Sequence, residues 1–318
     1  MLDLILIISL NLFLFVIHSI NLGSTGIISY FEIPKKKSNG LKKVYEFVLT
    51  TALSLTVQDE YIYTKVITIS PKYVFYNSSQ LCLQIVQEDC FESVLSVKPG
   101  ESKAFHWPNN SRERFVLIRL RDDNFSQWDW SSPLELQELG SITVKCRHQM
   151  RIHNHLLLKI DRAHVEGVVV TKVREESQDY PAYRIENYSQ HFSLAYWQKG
   201  KQVGKEYLNT LTQVAFGWTD YRLPKILEVK FYYGGLYECP IDLNNEEYEF
   251  SLDDLGKTTE IKIRTKNRIG YVLYISTLTN GHTKILRITD VQSDFDVSAK
   301  EEKLQYNYFL DVKSLIIL

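Results

Sequence analysis

The chain has 318 residues, a formal net charge of −1 and 44% hydrophobic residues. That length suffices for two or three domains with cores of their own, and the balanced charge offers no electrostatic footprint for nucleic acid. With 20 Tyr and 15 Phe, abundant β-branched residues and little Ala, the composition suits pleated sheets better than helices.

In chain order, the first feature is the apolar run Leu4 to Ile17, interrupted only by Ser9 and Asn11. It is short of the roughly 20 residues that a spanning helix needs. As a signal peptide it carries Asp3 where a basic region belongs, and its cleavage site near Leu22-Gly23-Ser24 is poor. A third reading makes it the edge of a longer protein or a misassigned start. The residues leave all three open. Gly23 to Gly40, with the run Lys35-Lys36-Lys37, reads as a solvated linker.

From Val44 onward the pattern predicts strands, at Val44–Val57, Tyr61–Ser70, Tyr73–Asn77, Leu81–Gln87 and Val94–Val97. Lys98-Pro99-Gly100 follows as a type II turn, since Pro presets φ and Gly accepts φ > 0. Arg114–Arg121 and Ile142–Cys146 complete a first unit. A second is predicted to open with Leu156–Ile160 and Val168–Val173. It continues through Tyr183–Asn187, Phe192–Trp197, Lys225–Tyr233, Glu260–Arg264 and Tyr271–Ser276, with Ile285–Thr289 as an extra strand. The expected division is residues 1–41 as leader and linker, 42–151 and 152–291 as two β-sandwiches, and 292–318 as an extension.

The two units repeat one text. Tyr73-Val-Phe-Tyr-Asn77-Ser-Ser-Gln80 returns as Tyr183-Arg-Ile-Glu-Asn187-Tyr-Ser-Gln190, Ala104-Phe-His-Trp107 as Ala215-Phe-Gly-Trp218, and Leu139-Gly140 as Leu255-Gly256. Three blocks in one order mark a tandem array, and arrays more often bind partners than transform substrates.

An Asn at a strand end before a Ser has two readings. It can lock the turn through its amide, or present that amide to an incoming backbone. Asn77 and Asn187 are open to both. Trp107 and Trp218 read as core plugs. Trp128 and Trp130, two apart, would share a strand face, as core or as a platform for a peptide proline.

Catalytic and metal signals are weak. His148, His153 and His155 lack a third-ligand spacing, and Asp122-Asp123-Asn124 lacks the alternating calcium-loop pattern. Without a nucleophile elbow, a P-loop or a dinucleotide fingerprint, the expectation is a non-enzyme with no cofactor and no metal. Cys82, Cys90, Cys146 and Cys239 form no C-x-x-C pair and read as free thiols in a reducing compartment. Asn77, Asn109, Asn124 and Asn187 sit in Asn-x-Ser and would be glycan acceptors in a secreted chain, although Asn77 and Asn187 lie in strand-like surroundings where a glycan would obstruct packing.

Ile69-Ser-Pro-Lys-Tyr73-Val with Asn77, Val97-Lys-Pro-Gly-Glu101, Phe105-His-Trp-Pro108 and Trp128-Asp-Trp-Ser131 resemble the late adaptor-binding region of the vacuolar protein sorting-associated protein 13 family, also labelled a SHORT-ROOT-binding domain. So do Phe216-Gly-Trp-Thr-Asp220 through Leu223-Pro-Lys225 and Gly281-His-Thr-Lys-Ile-Leu-Arg287-Ile-Thr-Asp290, over roughly residues 45 to 291. The resemblance implies bridge-like lipid-transfer proteins whose adaptor-binding region is a curved array of β-sandwich repeats, each with one favoured asparagine. It implies that Asn77 and Asn187 are those asparagines, and that Pro-x-Pro motifs of organelle adaptors dock by edge-strand addition. Gly217-Trp218-Thr219-Asp220 departs from the family's usual Trp-Asp-x-Pro run, and His282 with Lys284 stands where Pro and Arg are usual.

The expectation is therefore a non-catalytic localisation module with tandem β-sandwiches. Its partners would be adaptor proteins with Pro-x-Pro motifs, with membranes reached indirectly at contact sites and lipid carried only by a longer parent protein. The rival is a secreted or membrane-anchored β-sandwich that binds ligands or other cells.

Overall fold

The computed structural model describes residues 3–10, 13–21, 26–36, 42–53, 65–121, 128–148, 155–177, 179–201, 204–234, 241–242, 246–264 and 270–291, the stretch up to 44 by its backbone alone. All the regular elements among them are strands. The chain divides into two compact units, Met1–Glu176 with Thr219–Tyr221, and Ser177–Trp218 with Arg222–Leu318.

The first unit opens with β1 (Asp3–Leu10) and β2 (Phe13–Asn21), an antiparallel pair. The apolar leader is thus strand rather than spanning helix, and no helix among the described residues is long and apolar enough to cross a membrane. β3 (Gly26–Lys36), β4 (Lys42–Leu53) and β5 (Lys65–Pro71) form an antiparallel meander. The stretch expected to be a linker is therefore largely strand β3, because Ile27-Ile-Ser-Tyr-Phe-Glu-Ile33 is rich in β-branched and aromatic residues. The buried carboxylate of Glu46 on β4 accepts from Lys72 (3.2 Å) and Arg114 (3.0 Å), tying the meander to the sandwich that follows.

That sandwich comprises β6 (Tyr73–Asn77), β7 (Cys82–Gln87), β8 (Leu95–Val97), β9 (Ser102–Phe105), β10 (Phe115–Arg121), β11 (Leu134–Glu135), β12 (Gly140–Arg147), β13 (His155–Val165) and β14 (Val168–Glu175). One sheet runs β11-β10-β7-β8 and the other β12-β13-β14-β6-β9, with β14 parallel to β6. Facing apolar residues such as Leu83, Ile85, Ile118, Val144 and Ile160 make the core. Between β8 and β9 the expected turn is present: Gly100 has φ +73°, and Glu101 N–H donates to the Lys98 carbonyl at 3.0 Å.

The second unit holds β15 (Tyr183–Asn187), β16 (Phe192–Gln198), β17 (Glu206–Leu208), β18 (Thr212–Phe216), β19 (Ile226–Tyr233), β20 (Ile241–Asp242), β21 (Tyr248–Ser251), β22 (Thr258–Arg264), β23 (Gly270–Asn280) and β24 (Thr283–Thr289). Its sheets run β18-β15-β24-β23-β22 and β17-β16-β19-β20, with β21 on β19 and β24 parallel to β15. Matching β6 with β15 and β14 with β24 makes the strand orders coincide, β20 apart.

The boundary expected at 151/152 lies at Glu176/Ser177. β13 and β14, expected to open the second unit, close the first, since β14 pairs with β6 from Val169↔Tyr73 to Val173↔Asn77. By the same logic Ile285–Thr289 belongs to β24, an integral strand rather than an extra one.

Candidate functional site

On β6, Tyr73, Phe75 and Asn77 point inward by the two-residue period, so an amide occupies a core position with 0% exposure. A buried amide needs its bonds satisfied. Asn77 Nδ2 donates to the carbonyls of Leu81 (2.8 Å) and Val97 (2.9 Å), and its Oδ1 accepts from the Ser79 N–H (2.9 Å) and hydroxyl (2.7 Å). Val97 belongs to the opposite sheet, so the side chain staples the two layers while shaping the loop after its own strand.

Asn187, also 0% exposed, repeats this. Its Nδ2 donates to Phe192 and Asn209 carbonyls, both at 2.8 Å, and its Oδ1 accepts from the Ser189 N–H at 3.2 Å. Neither amide is presented to a partner; the alternative of an exposed gripping amide does not fit burial with both donors engaged. A carboxylate from the parallel neighbour holds each loop from outside. Gln80 N–H donates to Glu175, and Gln190 N–H to Asp290. Burial alone would raise the Asp290 pKa. Hydrogen bonds from the His191 ring, the Gln190 N–H, the Ser189 hydroxyl and the His191 N–H instead hold it below the usual carboxylate value.

Trp107 and Trp218 are fully buried in matching cages. Trp107 meets Tyr73 (5.7 Å between ring centres) and Phe105 (5.1 Å), and Trp218 meets Tyr183 (5.6 Å) and Phe216 (5.0 Å), all edge to face. Trp128 and Trp130 do not make one platform. Trp128 packs against the core and lies edge-on to His148 at 5.1 Å, whereas Trp130 meets Phe91 at 5.9 Å and takes the Arg119 guanidinium 4.3 Å from its ring centre.

Of the other residues singled out in the sequence, His153, Asp122, Asp123, Asn124 and Cys239 lie outside the described residues. Asn109 is buried, with its N–H donating to Gln87 and its carbonyl accepting from Gln87. Asn77, Asn109 and Asn187 are all buried, so a glycan on any of them would obstruct the packing of this fold.

Sequence reasoning missed Gln87 and Gln198. Each is buried on a matching strand and each holds the loop that leads into the neighbouring strand, Gln87 bonding Asn109 and Glu113 before β10, and Gln198 bonding Leu223 and Pro224 before β19. The signal was available, since both strands end in Gln.

The sheet edges are where a foreign strand could pair. In the first unit β12 is an edge, and Tyr221 Oη occupies its Thr143 position by accepting from the Thr143 N–H (3.1 Å) and donating to the Thr143 carbonyl (2.6 Å), while the Asp129 N–H donates to the Arg147 carbonyl (2.8 Å). The counterpart in the second unit is β22, bonded to β23 on one side. Among the described residues nothing pairs with its outer side.

The family model described as vacuolar-sorting associated protein 13, adaptor binding domain, matches residues 28–233. Intermembrane lipid transfer protein vps13D of Dictyostelium discoideum is 27% identical over 204 residues, which is 64% of this chain and 4% of that protein. Intermembrane lipid transfer protein vps13A of the same organism is 24% identical over 211 residues, 63% of this chain and 6% of the relative. Intermembrane lipid transfer protein VPS13D of Homo sapiens is 23% identical over 197 residues, 58% and 4%. The chain thus spans a few per cent of the length of the relatives it matches. The matched stretch ends at Tyr233, within the second sandwich, whose remaining strands repeat the order of the first.

Proposed function

This chain belongs to the vacuolar-sorting associated protein 13 adaptor binding domain family, and we propose from that membership that it is the docking part of an intermembrane lipid transfer protein, receiving Pro-x-Pro segments of organelle adaptors. Docking of this kind holds the parent protein at membrane contact sites from the cytoplasmic side, with membranes reached through the adaptors. Lipid carriage belongs to the longer parent.

The observation that carries the reading is that no described residue pairs with the outer side of β22 in the second sandwich, whereas Tyr221 occupies the matching edge β12 of the first at Thr143. An unpaired edge offers a row of N–H and C=O groups to an extended segment. Main-chain bonds then supply affinity and side-chain pockets supply selectivity. Proline suits such a ligand because it stays extended and its missing N–H can face away from the sheet. Asn77 and Asn187 act in this scheme as repeat-defining locks, and Trp107 and Trp218 as the plugs that keep each sandwich rigid.

Calorimetric titration of the whole chain with a Pro-x-Pro peptide, beside the same peptide with both prolines replaced by alanine, tests the proposal. Saturable heat with the first and none with the second is expected. Equal heats, or none with either, would overturn it.

A further inference from the structure

Because the two sandwiches share a strand order, their positions can be matched register by register. The turns Glu166-Gly167 and Gly281-His282 close hairpins β13–β14 and β23–β24. Counting back from the last pairs, Val165↔Val168 and Asn280↔Thr283, sets Arg162 in the place of Thr277. The pairs Gln87↔Val116 and Gln198↔Leu227 match β10 with β19. Glu135 opposite Phe115 then corresponds to Ser251 opposite Ile226.

Arg162 and Glu135 touch in the first sandwich. The guanidinium crosses between the sheets, donates through Nη1 to the Glu135 carbonyl and lies 3.9 Å from the Glu138 carboxylate, with its side chain 2% exposed. In the second sandwich both counterparts, Thr277 and Ser251, line one cavity of about 280 Å³. Its walls combine Ile261 and Ile275 with the hydroxyl of Thr259 and the acidic Glu249. Thr277 ends four heavy-atom bonds short of where a guanidinium would reach, so space filled from within in one repeat is left unfilled by the described residues of the other.

We propose that this cavity is a socket for the arginine side chain of a partner polypeptide, seated as Arg162 is seated in the first sandwich. The isoleucines receive the aliphatic stem, and the Ser251 carbonyl and neighbouring hydroxyls receive the fork of N–H donors. Lys257 stands on the same wall and Lys199 already pairs with Glu249 at 2.7 Å, so selection rests on the planar donor set rather than on bulk negative charge. The socket rests on the docking reading only for the source of the arginine.

The test uses the full chain and N-acetyl-arginine methylamide, with the lysine and citrulline analogues beside it, followed by amide NMR shifts. Saturable shifts confined to residues 248–251, 259–261 and 275–277 are expected with the arginine compound, and binding weaker by about tenfold or more with the analogues. Thr277→Arg should abolish the response, since its own guanidinium fills the space. Should that variant not fold, Thr259→Leu obstructs the same cavity and should also abolish the response. No saturable shift, equal response to all three compounds, or persistence in Thr259→Leu would overturn the proposal. Binding of the Pro-x-Pro peptide is scored separately, so the socket can fail while docking at β22 stands.

Discussion

Asn77 and Asn187 hold one position in two sandwiches of the same strand order: each is buried on the strand that pairs in parallel with the last strand of its unit, and each donates both amide hydrogens to carbonyls, one in its own loop and one beside the opposite sheet. The arrangement explains why an amide, rather than an aliphatic residue, stands at a core position. A loop that turns inward exposes two carbonyls to an apolar interior, and only a side chain with two donors at one site satisfies both.

Replacing either asparagine by aspartate tests this with no change of shape. Two donors become acceptors facing carbonyls, so Asn77→Asp and Asn187→Asp should each cost at least as much as the alanine variants, about 2–4 kcal/mol from orphaned buried groups. Urea denaturation of single variants, read against the parent chain, measures it. An aspartate variant as stable as the parent would show that the amide bonds contribute little.

The tryptophans behave differently. Neither Trp107 nor Trp218 has a partner for its indole N–H among the described residues, while both rings are fully buried. Trp218→Phe should therefore cost only lost volume, about 1–3 kcal/mol, and Trp218→Ala about 3–5 kcal/mol. Thermal denaturation of the two variants checks the ordering.

Asp290 should make the second sandwich acid-sensitive. Its folded pKa lies below the ordinary 3.8, so its contribution is present above the unfolded value and is lost as pH falls through the folded one. Asp290→Asn removes the charge while keeping the shape. The variant should be less stable near neutral pH by about 1–3 kcal/mol. Its stability should also change less with pH at the acid end, which denaturation between neutral and strongly acidic buffers reads directly.

Cys146 is fully enclosed, and burial, helped by the nearby Asp129 charge, pushes its thiol up to about 12. A thiolate-directed reagent at neutral pH should label the half-exposed Cys82 well before Cys146, which reacts only on the timescale of unfolding. Time-resolved mass spectrometry of the labelled chain separates the sites.

How much of this was legible in the sequence depended on whether the cause was local. The strand Tyr73–Asn77 and the turn at Lys98-Pro99-Gly100 were readable because alternation and turn chemistry act within a few residues. The boundary was misplaced because the parallel pairing of β6 with β14 joins Asn77 to Val173, and nothing in either strand announces a partner so far along the chain. Repeated letters marked Asn77 and Asn187, but not their acid partners, which differ as Glu175 and Asp290. Arg162 and Thr277 share no letter at all, so the matched place emerges only from register.

The central claim is that a foreign segment extends the second sandwich along β22. Hydrogen–deuterium exchange of the whole chain, with and without saturating Pro-x-Pro peptide, addresses it directly. The account predicts new protection within Thr258–Arg264, with the edge strand β12 unchanged. Bound peptide that leaves Thr258–Arg264 exchanging as before would contradict it.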